Sequence, residues 1–310
     1  MDVLGHLRRW GWLFGIVLVA AGLAACGGGS AENSAAAESV PQATQAVSAP
    51  QATDEPLAAR VNGQPITMAA FERERQRRLQ GLEAQPATQA AFDAAVLDAM
   101  IDQVLIEQAA PRLGITVSDA EVDAELALQE ELAAANGTTL EDMLAAQLYT
   151  LDEYRDVLRG LLLAQKVGEV VADVPPTAEQ VHARHILVAD EATARDLIAQ
   201  LQQGADFAQL AMEYSLDASS APSGGDLGWV PRGVLLQPEV EDAIFALAEG
   251  ELAPEPVRSS LGYHVVQTLE RVQDRPLSQA LLAERKQRAF QEWLAVEREN
   301  AVIERYIGTP

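Results

Sequence analysis

The sequence predicts an α+β protein, and three observations carry that prediction. Between Val181 and Arg271, short β-rich runs open and close a stretch whose middle has helical apolar spacing. From Leu57 to about Asp173 the chain reads as successive helices, several opening on a Ser/Thr-x-x-Glu pattern. After Pro276 comes one long amphipathic helix with Leu281, Leu282, Phe290, Trp293 and Leu294 on its apolar side. A single helix has nothing of its own to pack on, so it is expected to return to the N-terminal helices.

Taken in order, Met1 to Cys26 reads as a leader. Arg8 and Arg9 precede an apolar run, Trp10 to Gly22, that is too short to span a bilayer, and Leu23-Ala24-Ala25 places small residues before Cys26. Cleavage before Cys26 would leave that thiol carrying a lipid; the alternative is a plain secretory signal with an incidental cysteine. Cys26 is the only cysteine of the chain, so no disulfide is expected. Residues 27–56 are Gly, Ser, Ala, Gln, Thr and Pro with a few acids, the composition of a flexible tether with a reach of roughly 30 Å.

The helical part is expected over 57–175. It starts with a hairpin around Asn62-Gly63. Phe92, Val96, Leu97, Met100, Ile101, Val104 and Leu105 then mark one face of a helix ended by Pro111 and Gly114. Ser118-x-x-Glu121, Thr138-x-x-Glu141, Thr150-x-x-Glu153 and Thr177-x-x-Gln180 fit the capping box and predict further helix starts. Pro175-Pro176 marks the boundary with a central domain, 176–273, and 274–310 forms the returning helix, ending in Val302, Ile303, Tyr306 and Ile307. Within the central domain, Val181 to Ala189 reads as a strand. Glu191 to Gln203 and Phe207 to Tyr214 read as helices, Gly224, Gly225 and Gly228 as a tight turn, Glu239 to Leu247 as a helix, and Gly262 to Arg271 as the last strand.

Three motifs stand in that central stretch: Ala183-Arg-His-Ile-Leu-Val188, Gly224-Gly-Asp-Leu-Gly-Trp229 and Gly262-Tyr-His-Val-Val266. In this order and spacing they resemble the parvulin family of peptidyl-prolyl cis-trans isomerases. The segments ARVNGQPIT, FERERQRRL and LIEQAAPRLGITVSDAEVDAEL resemble the N-terminal chaperone part of bacterial extracytoplasmic foldases of the SurA and PrsA kind. The resemblance implies a four-stranded antiparallel sheet with helices, inserted between an N-terminal helical domain and the C-terminal helix that completes it.

Turning an X-Pro bond means crossing a barrier of about 18–20 kcal/mol, because rotation breaks amide resonance. Such a catalyst needs no nucleophile, metal or cofactor, and none is expected here. It needs an apolar basin that strips water from the amide and polar groups that favour the twisted state. The resemblance implies that His185 and His264 face each other across neighbouring strands and share a hydrogen bond beneath the site, or else merely hold the strands together. Asp217, in Tyr214-Ser-Leu-Asp-Ala-Ser-Ser220, aligns with a family position that points at the substrate amide; the alternative is an ordinary loop aspartate. Leu236 and Val240 align with the methionine and phenylalanine of the family's proline pocket, so both remain apolar while the aromatic wall is lost. Gln237 and Ser259 match positions that donate hydrogen bonds to the substrate backbone, or are solvated polar residues. His182 is expected near the strand's beginning, exposed and without a role, and Phe245 in the core.

The net charge is −24, and loss of the leader with Asp2, Arg8 and Arg9 would take it to −25. Nucleic acid is excluded as a partner, since affinity for it needs concentrated positive charge. The implied partners are unfolded exported proteins with X-Pro bonds and a membrane reached through lipid on Cys26, with homodimerisation through the helical parts left open. The expected function is that of a lipid-anchored, extracytoplasmic isomerase and folding chaperone. The alternative is a catalytically idle parvulin scaffold acting as a client-binding holdase.

Overall fold

The computed structural model describes residues 55–80 and 88–307. The leader, Cys26 and nearly all of the tether lie outside the described residues. Contacts divide the chain into two compact units. Residues up to Asp173 join those from Gln287 onward in one, and Val174–Lys286 make the other.

The first unit begins with a hairpin, β1 (Leu57–Val61) and β2 (Gln64–Thr67). Asn62 and Gly63 take φ of 49° and 86° at its tip, the left-handed pair that a two-residue turn with the strands' own twist demands and that Asn-Gly adopts at little cost. Five helices follow: α1 (Met68–Gln80), α2 (Gln89–Arg112), α3 (Asp119–Ala135), α4 (Leu140–Ala146) and α5 (Leu151–Val171). Ser118 and Thr150 make full capping boxes with Glu121 and Glu153. At α4 the cap is Thr139 rather than Thr138, its hydroxyl accepting from the Asp142 amide. Two adjacent threonines each followed three residues on by an acid leave the pattern degenerate, and the helix that buries Leu140 and Leu144 selects between them.

The second unit holds the four-stranded antiparallel sheet that the resemblance implies, and its strand order is β4-β3-β6-β5. Its strands are β3 (Thr177–Val188), β4 (Asp226–Pro231), β5 (Val257–Ser259) and β6 (Gly262–Pro276). Its helices are α6 (Glu191–Gln202), α7 (Phe207–Tyr214) and α8 (Pro238–Ala246). Thr177-x-x-Gln180 caps no helix. It opens β3, and the Gln180 side chain donates to the carbonyls of Arg275 and Pro276 on the neighbouring strand. Cross-strand pairing of Thr177 with Pro276 overrides a local pattern worth about 1 kcal/mol. One sheet face packs Val181, Ala183 and Val266 against Val240, Ile244 and Phe245 of α8; the other packs Ile186, Val188 and Val265 against α6 and α7.

Helix α9 (Gln279–Asn300) closes the chain, and from Gln287 onward it belongs to the first unit. Phe290 and Leu294 are buried there with Leu97, Ile101 and Leu105 of α2. The segment after it is no continuation of the helix. Ile303–Arg305 forms β7, which pairs with β1 and completes a sheet of order β2-β1-β7. Asn62 and Val302 exchange hydrogen bonds of 2.8 Å, so the hairpin turn itself terminates α9 and sets the strand's register.

Candidate active site

Strand alternation puts Val181, Ala183 and His185 on one face of β3, and His264, Val266 and Thr268 on the same face of β6. In register, Leu187 opposes His264 and His185 opposes Val266, so the two imidazoles meet diagonally. Their rings stack at 5.3 Å between centroids, and Nδ1 lies 3.1 Å from Nδ1. His264 is fully buried and His185 is 6% exposed.

Gly225 fixes where His185 sits. Its carbonyl accepts from the His185 amide at 2.9 Å, and at a φ of 80° an added Cβ would lie 2.2 Å from the His185 carbonyl oxygen. Only glycine permits both the left-handed backbone and that approach.

The network runs outward from the pair at both ends. His185 Nε2 is 2.7 Å from Asp217 Oδ2 and 3.1 Å from Ser220 Oγ. His264 Nε2 is 2.7 Å from Ser259 Oγ. One assignment of protons satisfies every member. The Ser259 hydroxyl donates to His264, His264 Nδ1–H donates to His185, and His185 Nε2–H donates to the Asp217 carboxylate. Among the described residues no buried side-chain nitrogen or oxygen lacks a hydrogen-bond partner.

Burial pushes the His264 imidazole down to about 4, so this ring stays neutral at physiological pH. Burial alone would raise the Asp217 carboxyl. Hydrogen bonds from Ser219, Ser220 and His185 outweigh it and hold the group well below the usual carboxylate range. Asp217 is therefore an ionised carboxylate, and its side chain is 21% exposed against 8% for that of His185. The loop that carries it is tied back to β3: Leu216 donates to the Leu187 carbonyl, and Ser215 Oγ accepts from the Leu187 and Asp217 amides.

His185, His264, Asp217 and Ser259 thus come together, although the Ser259 hydroxyl is turned to His264 rather than outward. Leu236 and Val240 have opposite environments. Leu236 is 90% exposed ahead of α8, whereas Val240 is 2% exposed in the core between α8 and the sheet. Gln237 is the N-cap of α8 and makes no capping bond through its side chain. Phe245 is buried in the core. Ser215, Ser219 and Ser220 escape the sequence reading as members of the site; serines two and three places after an aspartate are a side-chain turn signal that would have found the last two. Among the described residues no group of three or more His, Cys, Asp or Glu side chains could hold a metal ion.

The description "PPIC-type PPIASE domain" matches residues 170–272, and "SurA-like N-terminal domain" matches residues 5–168. Foldase protein PrsA of Caldanaerobacter subterraneus subsp. tengcongensis is 36% identical over 187 residues, 56% of this chain and 55% of its own length. The chain thus spans little over half of that foldase. A probable parvulin-type peptidyl-prolyl cis-trans isomerase of Bordetella pertussis is 33% identical over 217 residues, covering 67% of this chain and 75% of that protein. A crystal structure of PrsA from Bacillus anthracis shares 26% identity, covers 64% of this chain and 89% of that one, and superposes with a TM-score of 0.38. On the match to the SurA-like domain and to the Bordetella relative, the chain belongs to the parvulin-type peptidyl-prolyl cis-trans isomerase family of the PrsA and SurA kind.

Proposed function

We propose that this protein is a peptidyl-prolyl cis-trans isomerase and folding chaperone for exported proteins, held at an extracytoplasmic membrane surface by lipid on Cys26. The observation that carries the catalytic half is the continuous chain Ser259, His264, His185, Asp217 ending on an ionised carboxylate. Ser259 does donate to an imidazole, but its hydroxyl is turned inward, and this reading gives it no covalent step. The stacked histidines fix the carboxylate's direction, and the hydrogen bonds from Ser219, Ser220 and His185 hold its charge. An anion held so beside a substrate amide stabilises the twisted, less delocalised state by electrostatics, with little reorganisation as the bond turns. Catalysis is non-covalent, and its apolar part comes from the residues around the proline, with Leu236 and Gln237 as substrate contacts and Val240 behind them.

In this reading the helical part, together with the returning α9 and β7, holds apolar stretches of clients. Its support is a concavity of about 540 Å³ in the first unit, lined by apolar Ile66, Met100, Val104, Val157 and Leu161 together with charged Arg73, Glu74, Arg77, Arg78, Glu107, Glu153 and Asp156. The same concavity favours a second reading, a holdase with an idle isomerase scaffold, because the pocket aromatic is replaced by Val240. Among the described residues no helix is long and apolar enough to cross a membrane, and anchoring through Cys26 is testable by lipid labelling of the wild-type chain against Cys26→Ala.

The deciding experiment is a cis-to-trans isomerisation assay on a panel of X-Pro peptides with the chain from Gly27 onward. Catalysis is expected, with kcat/KM falling about a hundredfold in Asp217→Ala. A parent inactive on every peptide that still suppresses client aggregation would replace this reading with the holdase.

A further inference from the structure

Glu241 lies in the first half of α8, is 8% exposed, and accepts hydrogen bonds from three consecutive backbone amides of the preceding loop. Gly233 N is 2.9 Å from both carboxylate oxygens, and Val234 N and Leu235 N are 3.1 and 3.3 Å from Oε2. Three successive N–H groups converge on one anion only because Gly233 takes a φ of 83°. The loop is fastened from its other side as well. The Arg232 guanidinium lies 4.0 Å over the Phe245 ring and bonds Asp242 at 2.7 Å, with Nη1 3.9 Å from Glu241, while the Arg232 carbonyl accepts from Arg285.

The residues immediately after the three captured amides are Leu236, 90% exposed, and Gln237, whose side chain makes no cap bond. Helix α8 then covers the sheet face that carries His185 and His264, because Val240 packs on Val181, Ala183 and Val266 of that face. Glu239, on the same turn, is close enough for its charge to act on His264. A carboxylate is the group this geometry favours: a glutamine could keep one oxygen on the amides, but its NH2 would face the Gly233 N–H and the charge that strengthens the three bonds would be lost.

We propose that Glu241 is a positioning residue for the substrate, holding the Gly233–Leu235 amides so that Leu236 and Gln237 form a preorganised wall beside the histidine network. This rests on the isomerase reading above. Preorganisation removes the entropy cost of ordering the loop when a peptide binds, so its loss acts on binding rather than on the turning step.

The test uses the full chain, with Glu241→Gln and the shorter Glu241→Asp as variants, X-Pro tetrapeptides as substrate, and amide hydrogen exchange as a second readout. In Glu241→Gln, exchange at Gly233, Val234 and Leu235 should speed up while that at Ala183 and Val266 is unchanged. KM should rise about tenfold with kcat within about twofold. Glu241→Asp should sit between the two, and it serves alone if the glutamine variant does not fold. A purely structural role would lower kcat in step with the folded fraction and leave KM unchanged, which would overturn the assignment, as would parent-like KM with freely exchanging loop amides. A parent that turns over no peptide overturns the isomerase reading and this assignment with it; protected loop amides in that parent would show that the clamp exists and that the function, not the geometry, was misread.

Discussion

Two histidines three residues apart on β3 have almost the same partners and very different surroundings. His182 Nε2 is 2.8 Å from Asp226 and its ring stacks on Trp229 at 5.4 Å; His185 Nε2 is 2.7 Å from Asp217 and its ring stacks on His264 at 5.3 Å. Being an odd number of residues apart, they lie on opposite faces of the sheet. At His182 the pair is open, with side chains 23% and 45% exposed. At His185 both ring nitrogens are engaged, and the line continues through a fully buried imidazole to Ser259. A histidine, an aspartate and an aromatic ring in contact do not by themselves make a site. Burial and two-sided engagement make the difference, because a buried polar group depends on every partner it has.

The comparison breaks most visibly on removal of its buried member. His264→Ala leaves His185 Nδ1 and Ser259 Oγ without their partner and opens a cavity, so a loss of about 2–5 kcal/mol in urea unfolding is expected, together with most of the isomerase activity. Equal stability in that variant would mean that the network contributes nothing to the fold.

Acid sharpens the contrast next. The His264 ring is held at about 4 in the folded state against an ordinary 6.5, so between those values the unfolded chain binds the extra proton. Stability is complete above about pH 6.5 and falls as pH drops towards 4, by roughly 3 kcal/mol from this ring. The Asp217 carboxyl is also depressed, so its contribution, present above the ordinary 3.8, is lost as pH falls below that. His264→Gln should remove the upper part of the acid transition and leave the lower; an unchanged profile would exclude His264 as its source.

The smallest effect is expected at the open pair. His182→Ala should alter stability by less than about 1 kcal/mol and kcat/KM by less than about twofold, as for other partly exposed polar pairs. A large activity loss there would mean that the sheet face opposite His185 also meets substrate.

Much of this was legible along the chain. Short β-rich runs marked β3 and β6, Asn62-Gly63 marked a hairpin, and Ser118 and Thr150 marked helix starts, because each signal is carried by residues within a few positions of one another. Local signals also misled. Thr177-x-x-Gln180 reads as a cap until β6 arrives from almost a hundred residues away to pair with it, and Ile303 reads as helix until β1 claims it as a strand.

What the sequence by itself determined is therefore the inventory: an α+β chain, its helices and strands, and the histidines and aspartate worth watching. Tertiary structure alone decided the rest. It set the diagonal register that makes His185 meet His264 and turned Ser259 inward to complete their line. It sank Val240 into the core while leaving Leu236 bare, and folded three loop amides onto Glu241. The physical reason is one of range. Propensities and caps act over a turn of helix or a few residues of strand, whereas the state of a buried polar group depends on partners that only packing brings within hydrogen-bond distance.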